Sequence, residues 1–319
     1  MRRILPLFGL LAANSLAAQA IGTTGIERDL PATSSWRLVY DNDFFTATDR
    51  YFTQGILLEV TSPKLGRLPL MRVLLAPRGT LSRHSVVLED DGYTASDLKA
   101  PQILAGDHPY AGTKQVRIQA IATDTLRRQR VSSSLNLGII GPAAGGREIQ
   151  TFIHRRTGNT IPQGWGNQIH NDLILNYEAG VERELYRVGR TLLISGSGIA
   201  RVGTYNIAVG GGPTVMLGRV DEPFSAGATP QRALYLYAKP QVQVVGYDAT
   251  LQGGMFNRSS PYVIGASDLH RLVYRQQVGL VYRSRALYVA YNQSYATPEF
   301  RGARAHRSGG FEVGVIRSR

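Results

Sequence analysis

The sequence contains no cysteine, which excludes a disulfide framework and a soft thiolate metal site. After the first twenty residues it has no apolar run long enough for a membrane-spanning helix, which excludes a helical membrane protein. The G-x-S-x-G and H-E-x-x-H signatures of serine hydrolases and zinc proteases are also absent. Stability must therefore come from sheet closure and packing.

The first twenty residues have the layout of a secretory signal peptide. Arg2 and Arg3 precede an apolar run over residues 4–16, and residues 18–20, A-Q-A, give the small-x-small pattern of a cleavage site. We therefore expect cleavage after residue 20 and a single domain over residues 21–319 in a bacterial envelope.

The formal net charge of +13 rests mostly on arginine, because only four residues are lysines. Such a charge indicates an anionic partner. Nucleic acid is not expected for an exported protein, whereas lipid phosphate or an anionic envelope polymer fits. The alternative is that the arginines anchor loops at a membrane interface.

Most of the mature chain alternates between apolar and small or polar residues, which is typical of strands that separate lipid from a wet lumen. In residues 131–139 the odd positions are mostly aliphatic and the even ones are Ser132, Ser134, Asn136 and Gly138. We predict a closed antiparallel transmembrane β-barrel of twelve strands, near residues 36–40, 52–61, 85–89, 115–123, 131–140, 173–183, 191–202, 206–217, 233–247, 270–283, 286–295 and 310–317.

The connections alternate in length. Those at 127–130, 186–190, 203–205 and 284–285 are tight, and those at 63–84, 92–114, 141–172, 218–232 and 248–269 are long. Short turns usually face the periplasm and long loops the exterior. This rule predicts that residues 141–154 lie at the outer rim of the barrel.

Residues 141–154 break the strand pattern, because a Gly-rich turn leads into an amphipathic segment. Gln150 and His154 are four residues apart and therefore share one side of a helix. We expect the apolar side to dock on the barrel wall and the His154 side to face a cleft. The flanking arginines, Arg147, Arg155 and Arg156, would then meet lipid phosphate.

The run Asp41-Asn42-Asp43 at the end of the first strand supplies oxygen atoms that could hold a hard cation. A plain turn is the alternative, since Asp and Asn favour turns. His108, before Pro109, is better explained as part of a loop entering the next strand. Residues 162–168 are consistent with a lid at the mouth or with a loop anchored by Trp165.

Together these strings resemble the outer-membrane lipid A 3'-O-deacylase family. The matching strings, in the family's order, are N-D-F-F at 42–45, T-D-R-Y-F-T-Q-G at 48–55, D-H-P-Y-A-G at 107–112, G-I-I-G-P at 138–142, E-I-Q-x-x-x-H at 148–154 and P-Q-G-W-x-N-Q at 162–168. In the second half only Y-D-A-T-L-Q-G at 247–253 and the strand rhythm add to the match.

The resemblance implies a twelve-stranded barrel whose active site lies between the wall and a helix from an outer loop. It also implies a Ca2+-dependent esterase that releases the 3'-linked acyloxyacyl group of lipid A, acting on lipopolysaccharide in the outer membrane and, we expect, as a monomer. Carried over by position, His154 corresponds to the base that activates water. Asn42 and Asp43 correspond to the metal and oxyanion side, with Thr53 and Gln150 as further active-site positions.

The family's lysine has only a loose counterpart in Lys99, and His108 stands where many relatives have arginine. An outer-membrane phospholipase with the same base and metal is one alternative function. A non-catalytic barrel, either a narrow pore or a surface-binding protein, is another.

Overall fold

The computed structural model describes residues 24–30, 34–46, 50–77, 80–224 and 232–317. The predicted signal peptide over residues 1–20 lies outside these ranges. No helix within them has both the length and the apolar character needed to cross a membrane. Strands make up most of the described chain, as the alternating sequence predicts.

Twelve antiparallel strands close into one barrel, in which each strand pairs with its neighbours in sequence and the first pairs with the last. The strands are β1 (Ser35–Asn42), β2 (Tyr51–Thr61), β3 (Leu81–Thr94), β4 (Ala111–Asp124), β5 (Gln129–Ile140), β6 (Asp172–Val188), β7 (Leu192–Gly203), β8 (Asn206–Arg219), β9 (Ala233–Asp248), β10 (Leu272–Arg283), β11 (Leu287–Ala296) and β12 (His306–Ile316). The predicted fold class, strand number and closure are confirmed.

The largest difference from prediction is β3, which has 14 residues where the sequence predicts a strand over 85–89. Its upper half contains Asp90, Asp91 and Gly92, which are residue types disfavoured in strands. These residues nevertheless pair with both β2 and β4. Pairing on both sides therefore overrides the local propensity.

The two faces of the strands differ as predicted, and β9 shows this most clearly. Leu234 and Leu236 are 53% and 57% exposed on the outside, whereas Tyr235 and Tyr237 are buried in the lumen. Pro240 pairs with β10, but the ladder between β8 and β9 is interrupted at its level. Proline has no N–H to donate, so one side of the ladder is lost there.

The strands begin and end at two edges. We call the edge where β1 begins and β12 ends the terminal edge, and the opposite one the outer edge. By the rule for bacterial barrels the terminal edge faces the periplasm. The predicted link between loop length and edge fails in three places: the long connections at 63–84 and 218–232 lie at the terminal edge, and the tight turn at 203–205 lies at the outer edge.

One long connection at the terminal edge folds back over the outside of the barrel, which explains its length. Met71 and Leu74 pack on Ile118, an outward-facing residue of β4. The backbone N–H of Leu75 donates to Ser133 Oγ at 2.7 Å. These contacts cover wall residues that would otherwise face lipid.

Residues 24–30 fill the lumen near the terminal edge, and we call this segment the plug. Ile26 and Leu30 join an apolar cluster with Tyr235 and Tyr288. The plug's ion pairs reach four different strands: Glu27 with Lys239 at 2.8 Å, Arg28 with Glu312 at 2.7 Å, and Asp29 with Arg83 at 3.1 Å and Arg130 at 3.2 Å. The charges buried with the plug are thus compensated.

The outer-edge connection between β5 and β6 carries the main helix, α1 (Gly146–Thr157). Gly145 before it and Gly158 after it have φ of 79° and 71°, a left-handed conformation in which a Cβ would be strained. The predicted helical segment is therefore confirmed, and it continues past His154. A four-residue helix, α2 (Ala249–Gln252), lies in a later outer loop.

Candidate functional site

Helix α1 lies against β3 and β4 at the outer edge. Its buried residues are Gly146, Gln150 and His154, whose four-residue spacing places them on one stripe. Phe152 is 61% exposed on another side of the helix. The prediction that the apolar side docks on the wall is therefore wrong, because the polar stripe docks there instead.

A pair of glycines sets the distance between the helix and the wall. Gly112 lies two residues before Lys114 and four before the lipid-facing Val116, hence on the outward side of β4. A Cβ on Gly112 would come within 3.1 Å of the Gly146 Cα, and a Cβ on Gly146 within 2.9 Å of the Trp165 ring. The helix docks closely because the wall offers it glycine rather than aliphatic side chains.

Gln150 connects the helix, the wall and the following loop. Its Nε2 donates to Thr53 Oγ1 at 3.2 Å, and its Oε1 accepts from Trp165 Nε1 at 2.8 Å. Thr53 lies at a β-bulge, where the register of β2 against β3 shifts between Phe52 and Gln54. A bulge redirects a side chain. All three polar side chains are almost completely buried.

His154 lies one helical turn after Gln150 and is oriented by the loop that follows the helix. Its Nδ1 is 2.5 Å from the carbonyl oxygen of Thr160. A carbonyl oxygen only accepts hydrogen bonds, so Nδ1 carries the proton of the neutral ring. The lone pair is then on Nε2, which is the arrangement that a general base requires.

Asn42 and Asp43 end the first strand and begin a short 3-10 turn. Asn42 pairs in register with Gln54, the residue after Thr53, so these residues lie on neighbouring parts of the same wall. Asn42 Oδ1 accepts from the N–H of Phe44 at 2.7 Å, and Asp43 Oδ2 from the N–H of Arg50 at 2.5 Å. The turn expected from their residue types is thus present, and the Asp43 carboxylate is 1% exposed within it.

These two residues fit part of a Ca2+ site. They offer an amide and a carboxylate oxygen, the hard donors that Ca2+ prefers. Each accepts a backbone N–H, and an amide oxygen or a carboxylate has more lone pairs than one such bond uses. Within the described ranges no three His, Cys, Asp or Glu side chains cluster as metal ligands. Further oxygen ligands would have to come from backbone carbonyls, water or substrate.

The three predicted substrate-binding cations are exposed. Arg155 and Arg156 are exposed in the last turn of α1, where the Arg156 guanidinium lies 5.3 Å from the centre of the Phe152 ring. Lys99 is exposed in the loop between β3 and β4. That loop is bound to the Trp165 segment, because the N–H of Gln163 donates to Leu98 O at 2.8 Å.

His108 has a structural role, as its sequence context favours. It is 3% exposed, its ring stacks on Tyr93 at 5.4 Å, and its Nδ1 is 2.7 Å from Pro109 O. Burial lowers the pKa of His108, so the ring is kept neutral. Tyr51 and Phe300 pack around the same ring.

Two features near the site were not found from the sequence. Gln54 lies buried beside Thr53, and the bulge that places it there has no clear sequence signal. Asp90 and Lys114 form an ion pair of 3.2 Å on the outward face of β3 and β4. Charged residues at lipid-facing positions could have marked this pair, had β3 been predicted to its full length.

A closed barrel with an aliphatic outer face and a polar lumen defines the class of outer-membrane β-barrel proteins. This barrel carries a buried Thr, Gln and His cluster between its outer wall and a helix. The model of the family described as outer membrane protein LpxR matches residues 5–316, and the chain belongs to that family. This is the lipid A 3'-O-deacylase family that the motifs resemble, so the protein is an outer-membrane lipid A deacylase.

Among solved structures, the chain is similar to LpxR from Salmonella typhimurium, with 19% sequence identity and a TM-score of 0.72 over 89% of this chain and 100% of that one. The β domain of the Bordetella autotransporter BrkA gives 11% identity and a TM-score of 0.44 over 91% of this chain and 100% of that one. The comparison with curated proteins gives no match. The likeness to the Salmonella structure confirms the barrel fold.

Proposed function

We propose that the protein hydrolyses the 3'-linked acyloxyacyl ester of lipid A, with His154 as the base that activates water. The observation that carries this proposal is the hydrogen bond between His154 Nδ1 and Thr160 O, which directs the Nε2 lone pair away from the loop. The stripe that bears His154 lies on the outer wall, and an ester of an outer-leaflet lipid reaches that wall without entering the lumen.

In the proposed reaction Nε2 of His154 takes a proton from water as the water oxygen bonds to the ester carbonyl carbon. The carbonyl π electrons move to oxygen and form an oxyanion. When the C–O bond to the sugar breaks, the imidazolium returns the proton to the sugar oxygen. The products are a fatty acid and a free hydroxyl, and no serine nucleophile is required.

The proposal includes Ca2+, which Asn42 and Asp43 would hold. When bound there, the ion would supply Lewis-acid stabilisation of the developing negative charge. Gln150 and Thr53 act as positioning residues, because their hydrogen bond joins the His154 helix to the strand beside Asn42. The helix that bears His154 and the strand beside Asn42 are thereby held together.

Mass spectrometry of lipid A from cells that express each variant tests the proposal. His154→Ala and Asp43→Ala should each abolish loss of the acyloxyacyl group while the barrel stays folded. His270→Ala is the matched control, because His270 is exposed in another outer loop and its ring contacts only the carbonyl oxygen of Pro298, at 3.0 Å, within the described ranges. Wild-type deacylation by His154→Ala would refute the role of the base.

Two further experiments test the alternative functions, a non-catalytic barrel and a phospholipase. Chelation of Ca2+ should stop deacylation, whereas a non-catalytic barrel would be indifferent to chelator. Purified protein should release acyl groups from lipid A and not from glycerophospholipid, and the reverse preference would establish the phospholipase.

Lys99, Arg155 and Arg156 are proposed to bind the phosphate of lipid A, since all three are exposed, the two arginines beside His154 and Lys99 on the loop that is bonded to Gln163. An Arg155→Ala/Arg156→Ala double variant should lose affinity for phosphorylated lipid A more than for the dephosphorylated form. Equal losses for both lipids would contradict phosphate contact.

A further inference from the structure

We propose that Gln54 is a second catalytic residue, whose side-chain Nε2 donates a hydrogen bond to the carbonyl oxygen of the scissile ester. This inference rests on the function proposed above and adds to it an oxyanion donor supplied by the chain itself.

Gln54 is placed at the site by the pairing of β1 and β2. Its partner in register is Asn42, and directly opposed side chains of an antiparallel pair lie on the same face of the sheet. The residue before it, Thr53, is bonded to Gln150 of α1. The Gln54 amide therefore lies on the outer face of the wall, between the Asn42 turn and the docked helix.

A glycine on the next strand makes room for this amide. Gly92 of β3 pairs with Gln54, and a Cβ at Gly92 would lie 3.1 Å from Gln54 Cγ and 3.6 Å from Nε2. The Gln54 side chain thus lies flat over a position without a side chain. The carbonyl of the same glycine accepts from Thr53 Oγ1 at 3.3 Å, which links the amide to the Gln150 network.

The donor of this amide has no acceptor in the described part of the chain. Gln54 is 1% exposed, and its Nε2 has no hydrogen-bond partner. The neighbouring donors are occupied: Gln150 Nε2 donates to Thr53, and Asn42 Nδ2 donates to Tyr40 Oη at 3.1 Å. Buried amide groups are normally paired, so an unpaired one at a functional site requires an explanation.

A substrate carbonyl supplies the missing acceptor. A carbonyl oxygen has no proton to donate and therefore complements a group that only donates. The bond strengthens as that oxygen becomes an oxyanion, so it stabilises the transition state more than the bound ester. Its loss should reduce kcat and leave KM nearly unchanged.

Gln54→Met tests this role, because methionine has a similar length and no donor. On lipid A in detergent micelles we expect kcat to fall by about 10²- to 10³-fold, the usual effect of removing one oxyanion donor, with KM within about threefold of wild type. Heat-modifiable migration on a gel verifies that the barrel is folded. Gln115→Met is the matched control, since Gln115 is an equally buried glutamine that faces the lumen from β4.

Gly92→Ala is a second variant that keeps the donor and displaces it, because the new Cβ would press on Gln54 Cγ. We expect it to lower kcat as well, and it decides the question if Gln54→Met does not fold. Full kcat in both variants would overturn the proposal. A rise in KM alone, or an equal loss of kcat in Gln115→Met, would also overturn it.

Two comparisons distinguish an oxyanion-donor role of Gln54 from a role in the metal site and from a failure of the proposed function. Tenfold more Ca2+ should not restore Gln54→Met, and restoration would assign Gln54 to the metal site instead. His154→Ala is measured in parallel. If His154→Ala is inactive and Gln54→Met is fully active, only the role of Gln54 fails, whereas activity in His154→Ala refutes the proposed function itself.

Discussion

The close contact between α1 and the wall leads to a prediction for Gly146→Ala. The added Cβ would lie 2.9 Å from the Trp165 ring and 3.0 Å from the Gly112 Cα, where carbon atoms normally stay about 3.5 to 4.0 Å apart. Relief requires the start of the helix to move outward by roughly 0.5 to 1 Å. A misplacement of about 1 Å can lower a rate by about 10²-fold. We therefore expect deacylation to slow by about 10- to 100-fold.

The rate is measured on lipid A in micelles, with barrel folding verified by heat-modifiable migration. Alanine favours helix more than glycine by about 1 kcal/mol, so a loss of activity would not come from unfolding of α1. Gly166→Ala is the control, because a Cβ at Gly166 meets no atom within 4 Å. A wild-type rate in Gly146→Ala would show that the glycine contact does not set the position of His154.

Three further predictions concern packing and protonation. Lys239→Met removes the cation that pairs with the buried Glu27 of the plug and should destabilise the barrel by about 3 to 5 kcal/mol in urea unfolding. Lys64→Met, at an exposed position, should not destabilise it. Equal unfolding midpoints for the two variants would contradict the pairing. Trp165→Phe removes the hydrogen bond to Gln150 and should weaken docking of α1 by about 1 kcal/mol. Amide exchange in the helix should then be faster than in wild type, and unchanged exchange would contradict this prediction. Burial lowers the pKa of His108, so the packing of its neutral ring stabilises the outer loop above about pH 6.5, and this stabilisation is lost as pH falls through the lowered pKa. Amide exchange over residues 107–112, corrected for intrinsic rates, should show the loss in wild type and not in His108→Phe.

The barrel could be predicted from the sequence because lipid and lumen impose opposite demands on alternate residues. Every strand carries this pattern over several residues, so twelve strands and their faces follow from it, as the exposed Leu236 and the buried Tyr237 of β9 show. Strand β3 was predicted too short because Asp90 and Asp91 interrupt the alternation. Loop length did not predict the edge, because residues 62–77 pack on the outer wall instead of extending into solvent.

The arrangement of α1 could not be predicted in the same way. An amphipathic helix normally buries its apolar side, yet here the partner surface is Gly112 and Thr53 on one side and a lipid environment on the other. Whether the apolar side of α1 faces the wall or the surrounding lipid depends on what lies on each side of the helix. The helix sequence alone does not contain that information. The same limit applies to Gln54, whose burial depends on a bulge and on Gly92 of another strand.

The plug closes the lumen of the barrel near the terminal edge. Four charged residues of the wall pair with residues 27–29, so at this level they serve as the interior of the protein and not as the lining of a passage. Tolerance of substitution should therefore run opposite to that of a soluble domain: exchanges among aliphatic residues on the outside should be mild, and changes of charge inside should be severe.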